Sequence, residues 1–238
     1  MNTAPDSVAP PWAYLSAQAL HYLFFAVRGQ QFLRRQATVG GRHWPAFGVP
    51  GPGVALTIDD GPHPEWTPRM LDLLDRHQVR ATFFLIGDRV RERPELVRRI
   101  VSAGHAIGNH SMSHPQPFAA LARPRLRAEI ARTQVEIEDA VGLRPVLFRA
   151  PGGNWSPDVL RTTADLGLTS IDWTVNPSDW RSPGVSRIIR SLSRGRSGQV
   201  LLCHDGGGDR SQTVEALDTV LPRLLGRGLR FVIPGDGR

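Results

Sequence analysis

Two adjacent carboxylates, Asp59 and Asp60, close an apolar run in the stretch ALTIDDGPHP. Side by side they repel, and a strand end does little to relieve that. A divalent cation would offset the repulsion, one carboxylate serving as ligand and the other accepting a proton. Further along, NHSMSH sets His110 and His114 four residues apart. On a helical turn such a pair faces one way and could bind one divalent ion, as in the zinc helix H-E-x-x-H. Position 111 is Ser, not Glu, so a general base must come from elsewhere. Taken alone, the two histidines read equally well as surface residues after a turn. A catalytic metal commonly has three protein ligands and an open position. His110, His114 and one aspartate make three, and the other aspartate is left as base. The spacing leaves open which Asp does which.

Two further reactive groups stand at similar places. Arg149 follows PVLF, and His204 follows VLLC and precedes Gly206-Gly207-Gly208. A histidine across from a metal suits a general acid. Four separate apolar runs thus end in polar, reactive residues, and that convergence is the main sign of a site. Cys203 alternates to the other face of its strand and is expected in the core. His63 has no role in this scheme and is expected to be a loop residue.

Something must bring these ends together. Short apolar runs predict strands at Val54–Ile58, Ala81–Ile86, His105–Gly108, Val146–Arg149, Leu168–Trp173, Val200–Cys203 and Arg230–Ile233. Helical patterns lie between them, at Pro68–His77 behind Thr67 as N-cap, Pro94–Ala103, Pro124–Val141, Pro157–Leu166 behind Ser156, Gly184–Arg194 and Thr213–Gly226. Each has Pro near its start or Gly near its end. Alternating strands and helices imply an α/β fold with a parallel sheet and right-handed crossovers. Periodicity leaves an open sheet and a closed barrel both open. In either, chemistry collects at the carboxyl ends of the strands.

The chain has 238 residues, enough for one sizeable core. Residues 1–51 read as an N-terminal helical extension with a Gly/Pro-rich connector (GGRHWPAFGVPGPG, 40–53), and 52–238 as the main domain. Ala13–Val27 is apolar but interrupted by Gln18 and His21, and falls short of the ~20 residues a spanning helix needs. It is expected to be a packed helix, with membrane-surface contact as the alternative. The N-terminus lacks the pattern of a signal peptide. A complete chain would then be cytoplasmic, and a truncated one extracellular or in the cell envelope.

The formal charge is +7, and every basic residue besides histidine is Arg. These arginines spread along helical stretches such as Arg89–Arg99, which reads as a solvated face. With no Arg block and no nucleic-acid-binding motif, no nucleic-acid partner is expected. The single cysteine excludes an intrachain disulfide.

Taken together, the motifs resemble those of the polysaccharide deacetylases, carbohydrate esterase family 4. They are TIDDGP (57–62), HSMSH (110–114), RAPGG (149–153), SDW (178–180) and LCH (202–204), in family order across residues 52–235. The resemblance implies a distorted barrel of about seven β/α units. It implies hydrolysis of an N-acetyl, or sometimes O-acetyl, group on a carbohydrate. Asp60, His110 and His114 would bind one divalent metal, zinc first, with cobalt, nickel or manganese as alternatives. Asp59 would be the base, paired with Arg149, and His204 the acid, paired with Asp179. The Gly152 N–H would help hold the oxyanion, and Trp180 and Leu202 would wall the acetyl methyl. Gly152 stands where the family often has Tyr, and Asn176 where it often has Asp, so the substrate side differs from commoner forms.

The expected substrate is an amino-sugar glycan, peptidoglycan or a chitin-type oligomer. The rival readings are an intracellular deacetylase of a small N-acetylated metabolite, a xylan O-acetyl esterase and a non-catalytic carbohydrate-binding relative. The last would be expected to lack the base or a metal ligand, and this chain has both.

Overall fold

The computed structural model describes residue 49 and residues 53–234. The expected N-terminal helix and nearly all of the connector lie outside them. Among the described residues no helix is long and apolar enough to cross a membrane.

At the centre lies β1 (Gly53–Gly61). Its apolar residues serve two faces, as a parallel strand covered on both sides requires. Leu56 and Ile58 join the core with Leu73 and Leu217 from the surrounding helices. Thr57 and Asp59 face the other way, where both bond Arg149. Around β1 run β2 (Thr82–Leu85), β3 (Ala106–Asn109), β4 (Leu147–Phe148), β5 (Thr169–Ser170) and β6 (Val200–His204), in the order β5-β4-β3-β2-β1-β6. All these pairs are parallel. The short β7 (Arg230–Phe231) pairs with the start of β1. Past β5, Val175 bridges Leu201 of β6 in parallel, curling the sheet back on itself. The result is a distorted (β/α) half-barrel with helices outside.

The helices are α1 (Trp66–Arg76), α2 (Gly87–Glu92), α3 (Pro94–Ser102), α4 (Arg123–Val141), α5 (Pro157–Asp165), α6 (Val185–Leu192) and α7 (Ser211–Gly226). Ser156 caps α5 as expected, accepting from the Val159 N–H. Gly142 closes α4 at φ 67°, a left-handed position that glycine takes without strain. Cys203 is fully buried in the core, and burial pushes its thiol pKa up.

Several expectations need correction. The strand over Leu168–Trp173 shrinks to two residues. The carbonyls of Ile171 and Asp172 are taken by the Arg149 guanidinium rather than a neighbouring strand. Thr67 is not the N-cap of α1. His63 lies in the loop before α1, as expected, and its Nδ1 accepts from the N–H groups of Glu65 and Trp66, each at 3.2 Å. The Arg89–Arg99 stretch breaks at Arg93, before Pro94, into α2 and α3. Arg91 and Arg99 do lie outside, paired with Glu136 and Asp72. Arg89 turns inward and donates to the carbonyl of Asp60.

Candidate metal centre and active site

The ends of β1, β3, β4 and β6 lie on one rim, and their side chains meet there. The Asp–Asp pair reaches it through an irregularity. In a regular strand Asp59 and Asp60 would point to opposite faces. Here Asp60 takes φ 73°, and the ladder to β2 slips between Asp59 and Gly61. Left-handed backbone at a non-glycine residue costs about 1–3 kcal/mol, and Asp bears it better than most. Both carboxylates then serve one site.

The histidines converge without a helix. HSMSH is a loop with Ser111 at φ 67° and His114 at φ 51°, so the expected helical turn is corrected. Asn109 Oδ1 accepts from the Ser111 N–H, and Ser111 Oγ accepts from the His114 N–H. Glu129 of α4 accepts from both the N–H and the hydroxyl of Ser113. These bonds fold the loop so that the two imidazole centroids lie 4.9 Å apart.

One ligand-capable atom from each of Asp60, His110 and His114 lies within 4.8 Å of the others. Asp60 Oδ1 is 3.5 Å from His110 Nε2 and 3.3 Å from His114 Nε2. His110 Nδ1 donates to the Arg149 carbonyl at 2.8 Å. A carbonyl only accepts, so that contact puts the proton on Nδ1 and leaves the Nε2 lone pair facing Asp60. Asp60 Oδ1 is buried with no hydrogen-bond partner. Burial works against the Asp60 charge. The neighbouring imidazoles, His110 first and then His204 and His114, outweigh it and hold the carboxyl well below the usual range. Burial, then the neighbouring His110, push His114 down to about 4, so it is neutral near pH 7. An unpartnered carboxylate oxygen among imidazole lone pairs fits a divalent cation.

Arg149 and Asp59 flank this cluster. Arg149 is fully buried, and its Nη1 donates to Asp59 Oδ1 at 2.7 Å and to Thr57 Oγ1 at 2.8 Å. Asp59 Oδ2 lies 3.7 Å from His110 Nε2. The second polar pair comes from β6. His204 Nδ1 donates to Asp179 Oδ1 at 2.8 Å. Asp179 Oδ2 accepts from the His204 N–H and the Thr213 hydroxyl. Burial opposes the His204 charge. The Asp179 carboxylate, aided by Asp60 and Asp59, more than offsets this and raises His204 to about 9.

The remaining expected residues stand outside this hydrogen-bonded network. Gly152 (φ 61°) lies in a tight turn, where a Cβ would meet the Gln116 amide. Leu202 is buried on the same face of β6 as His204, by alternation. Trp180 is half exposed, with the Arg181 guanidinium over its ring. Asn176 accepts from the Ser178 N–H, shaping the turn that carries Asp179.

Residues 48–171, more than half of the chain, match the family described as polysaccharide deacetylase. The chain belongs to the polysaccharide deacetylase family. It is similar to a chitooligosaccharide deacetylase of Sinorhizobium fredii, at 41% identity over 79% of this chain and 92% of that protein. It is also similar to a peptidoglycan-N-acetylglucosamine deacetylase of Bacillus cereus, at 42% identity over 75% of this chain and 84% of the other. Among solved structures, a family 4 carbohydrate esterase from Streptomyces lividans in complex with acetate superposes with a TM-score of 0.72. The identity is 36%, covering 77% of this chain and 93% of that one. As a polysaccharide deacetylase the chain is a metal-dependent hydrolase of acetyl amides on carbohydrate.

Several residues that shape the site escape a reading of the sequence. Asn109 and Ser111 carry a usable signal, since Asn and Ser favour local side-chain-to-backbone turns. Glu129, Arg89 and Asp205 come from distant elements and carry none.

Proposed function

We propose that this polysaccharide deacetylase uses zinc to remove N-acetyl groups from amino-sugar residues of a chitin-type or peptidoglycan glycan. The observation that carries the reading is the pairing of two proton-handling groups around one ligand cluster. Asp59 is tied to Arg149 and His204 to Asp179, and both neighbour the unpartnered Asp60 Oδ1.

Asp60, His110 and His114 are the zinc ligands in this reading. When bound, zinc polarises the acetyl carbonyl and makes water more acidic. Asp59 takes the proton from the attacking water as its oxygen adds to the carbonyl carbon. Its Oδ1 is occupied by Arg149, so Oδ2 does this work. The Gly152 N–H donates to the oxygen on which charge develops. His204, held protonated by Asp179, then gives its Nε2 proton to the amine nitrogen as the carbon–nitrogen bond breaks. Acetate and a free amine leave. Leu202 and Trp180 wall the space for the methyl group.

The relatives named for chitooligosaccharide and for peptidoglycan N-acetylglucosamine support an amino-sugar substrate. The test is acetate release from chitooligomers, peptidoglycan, acetylxylan and small N-acetyl amines after zinc is stripped and restored. Zinc-dependent release from one of the first two is expected. Release from acetylxylan or the small amines alone would contradict the reading.

A further inference from the structure

We propose that Thr67 and Asp205 are positioning residues for the metal centre, clamping the turn that aims Asp60 at His110 and His114. The proposal rests on the reading of Asp60 as a zinc ligand.

Asp60 serves the site only because its backbone is left-handed and β1 is irregular beside it. A conformation this unfavourable persists only where surrounding contacts over-determine it. Asp205 supplies several of them. It is fully buried, and its N–H donates to the carbonyl of Asp59 at 3.1 Å. Its carboxylate fills the space beside Gly61. A Cβ on residue 61 would lie 2.6 and 2.7 Å from the two carboxylate oxygens, so any side chain there would displace the Asp205 carboxylate. Asp205 Oδ1 takes no hydrogen bond and is wedged against that glycine.

Asp205 Oδ2 accepts from the Thr67 hydroxyl. That hydroxyl accepts in turn from the His63 N–H at 2.7 Å. One carboxylate therefore grips both sides of the turn TIDDGPHPEWT, at Gly61 and, through Thr67, at the start of α1. Arg89 holds the Asp60 carbonyl independently. Thr67 is free for this duty because it lies inside α1 rather than at its N-cap. Asp205 stands outside the cluster of Asp60, His110 and His114, so its influence on zinc runs through the backbone it fixes.

The test measures zinc affinity of the full chain by competition with a chromogenic chelator, with melting of the metal-free protein alongside. Thr67→Val removes the hydroxyl at nearly constant volume, Thr67→Ser keeps it, and Asp205→Asn alters the carboxylate. Losing such an outer partner costs roughly 10–100-fold in metal affinity. Thr67→Val and Asp205→Asn are expected to weaken zinc within that range, and Thr67→Ser to bind close to wild type. Wild-type zinc affinity in Thr67→Val and Asp205→Asn, even with lowered melting temperatures, would overturn the proposal by reducing the clamp to a fold contact. So would equal losses in Thr67→Ser and Thr67→Val, which would assign the effect to packing. If Thr67→Val does not fold, the zinc affinity of Asp205→Asn decides between a clamp and a fold contact. Failure of the wild type to bind zinc would overturn the metal reading itself, a result distinct from these.

Discussion

Arg149 and Asp59 meet through one 2.7 Å contact, Nη1 to Oδ1, with both side chains closed off from solvent. The rest of the guanidinium is spent on Thr57 and the carbonyls of Ile171 and Asp172, and the Phe84 ring lies 4.3 Å from its centre. Arg149 thus fixes the rotamer of Asp59 and leaves one oxygen, Oδ2, directed at the cluster of Asp60, His110 and His114.

Asp59→Asn removes the proposed base and leaves the buried Arg149 charge without its counter-ion. General base catalysis contributes about 10²–10⁴-fold, so kcat should fall by that order. Breaking a buried pair on one side costs about 3–5 kcal/mol, so the melting temperature should fall too. Zinc content should stay near that of the wild type, because the ligands are untouched. Acetate-release kinetics, calorimetry and metal analysis check the three outcomes.

Asp179→Asn should change the pH profile. In the proposed mechanism His204 acts as an acid while protonated, and Asp179 raises it to about 9. The alkaline limb of kcat/KM should therefore move toward lower pH in the variant. Linkage has the same sign. His204 is raised above its ordinary value of 6.5, so the pair contributes stability that is complete below about pH 6.5 and is lost as pH rises through about 9. Melting curves at about pH 6 and about pH 10, on either side of that window, should differ less in Asp179→Asn than in the wild type.

Replacing Asp60, His110 or His114 with Ala should weaken zinc binding enough to abolish zinc-induced stabilisation. A ligand that binds only the folded state stabilises by about 2.7 kcal/mol at roughly a hundredfold excess over Kd. Melting temperature titrated with zinc should rise in the wild type and stay flat in each variant. His105 is a control from outside the site, since its Nδ1 accepts from the Ala81 N–H.

Leu202→Ala should relax acyl selectivity. A methylene in an apolar pocket is worth about 1–3 kcal/mol. The wild type should prefer acetyl over propionyl on the same amino sugar, and the variant should lose about tenfold or more of that preference. The kcat/KM ratio for the two acyl groups measures it.

The rim is legible in the sequence because each reactive residue ends an apolar run, and parallel strands deliver their carboxyl ends to one side. What stays hidden is how the backbone bends there. Left-handed φ at Asp60, Ser111 and His114 breaks the periodicities on which a helix or strand prediction rests, so HSMSH reads as a helical turn. Thr67 reads as an N-cap because a local cap and a bond to Asp205, far along the chain, look alike in sequence. The two-residue strands β5 and β7 read too long because apolar character continues after the ladder ends. Near β5, the carbonyls that would continue the ladder turn to Arg149.

In the proposed mechanism Asp59 and Asp60 divide the labour of the site, one moving a proton and the other holding the metal. Zinc content and acetate release from a chitooligomer, compared in Asp59→Asn and Asp60→Asn after each is stripped and reloaded with zinc, test that division most directly. A zinc-replete but nearly inactive Asp59→Asn is expected, beside an Asp60→Asn that fails to retain zinc. Full activity in Asp59→Asn, or wild-type zinc retention in Asp60→Asn, would contradict it.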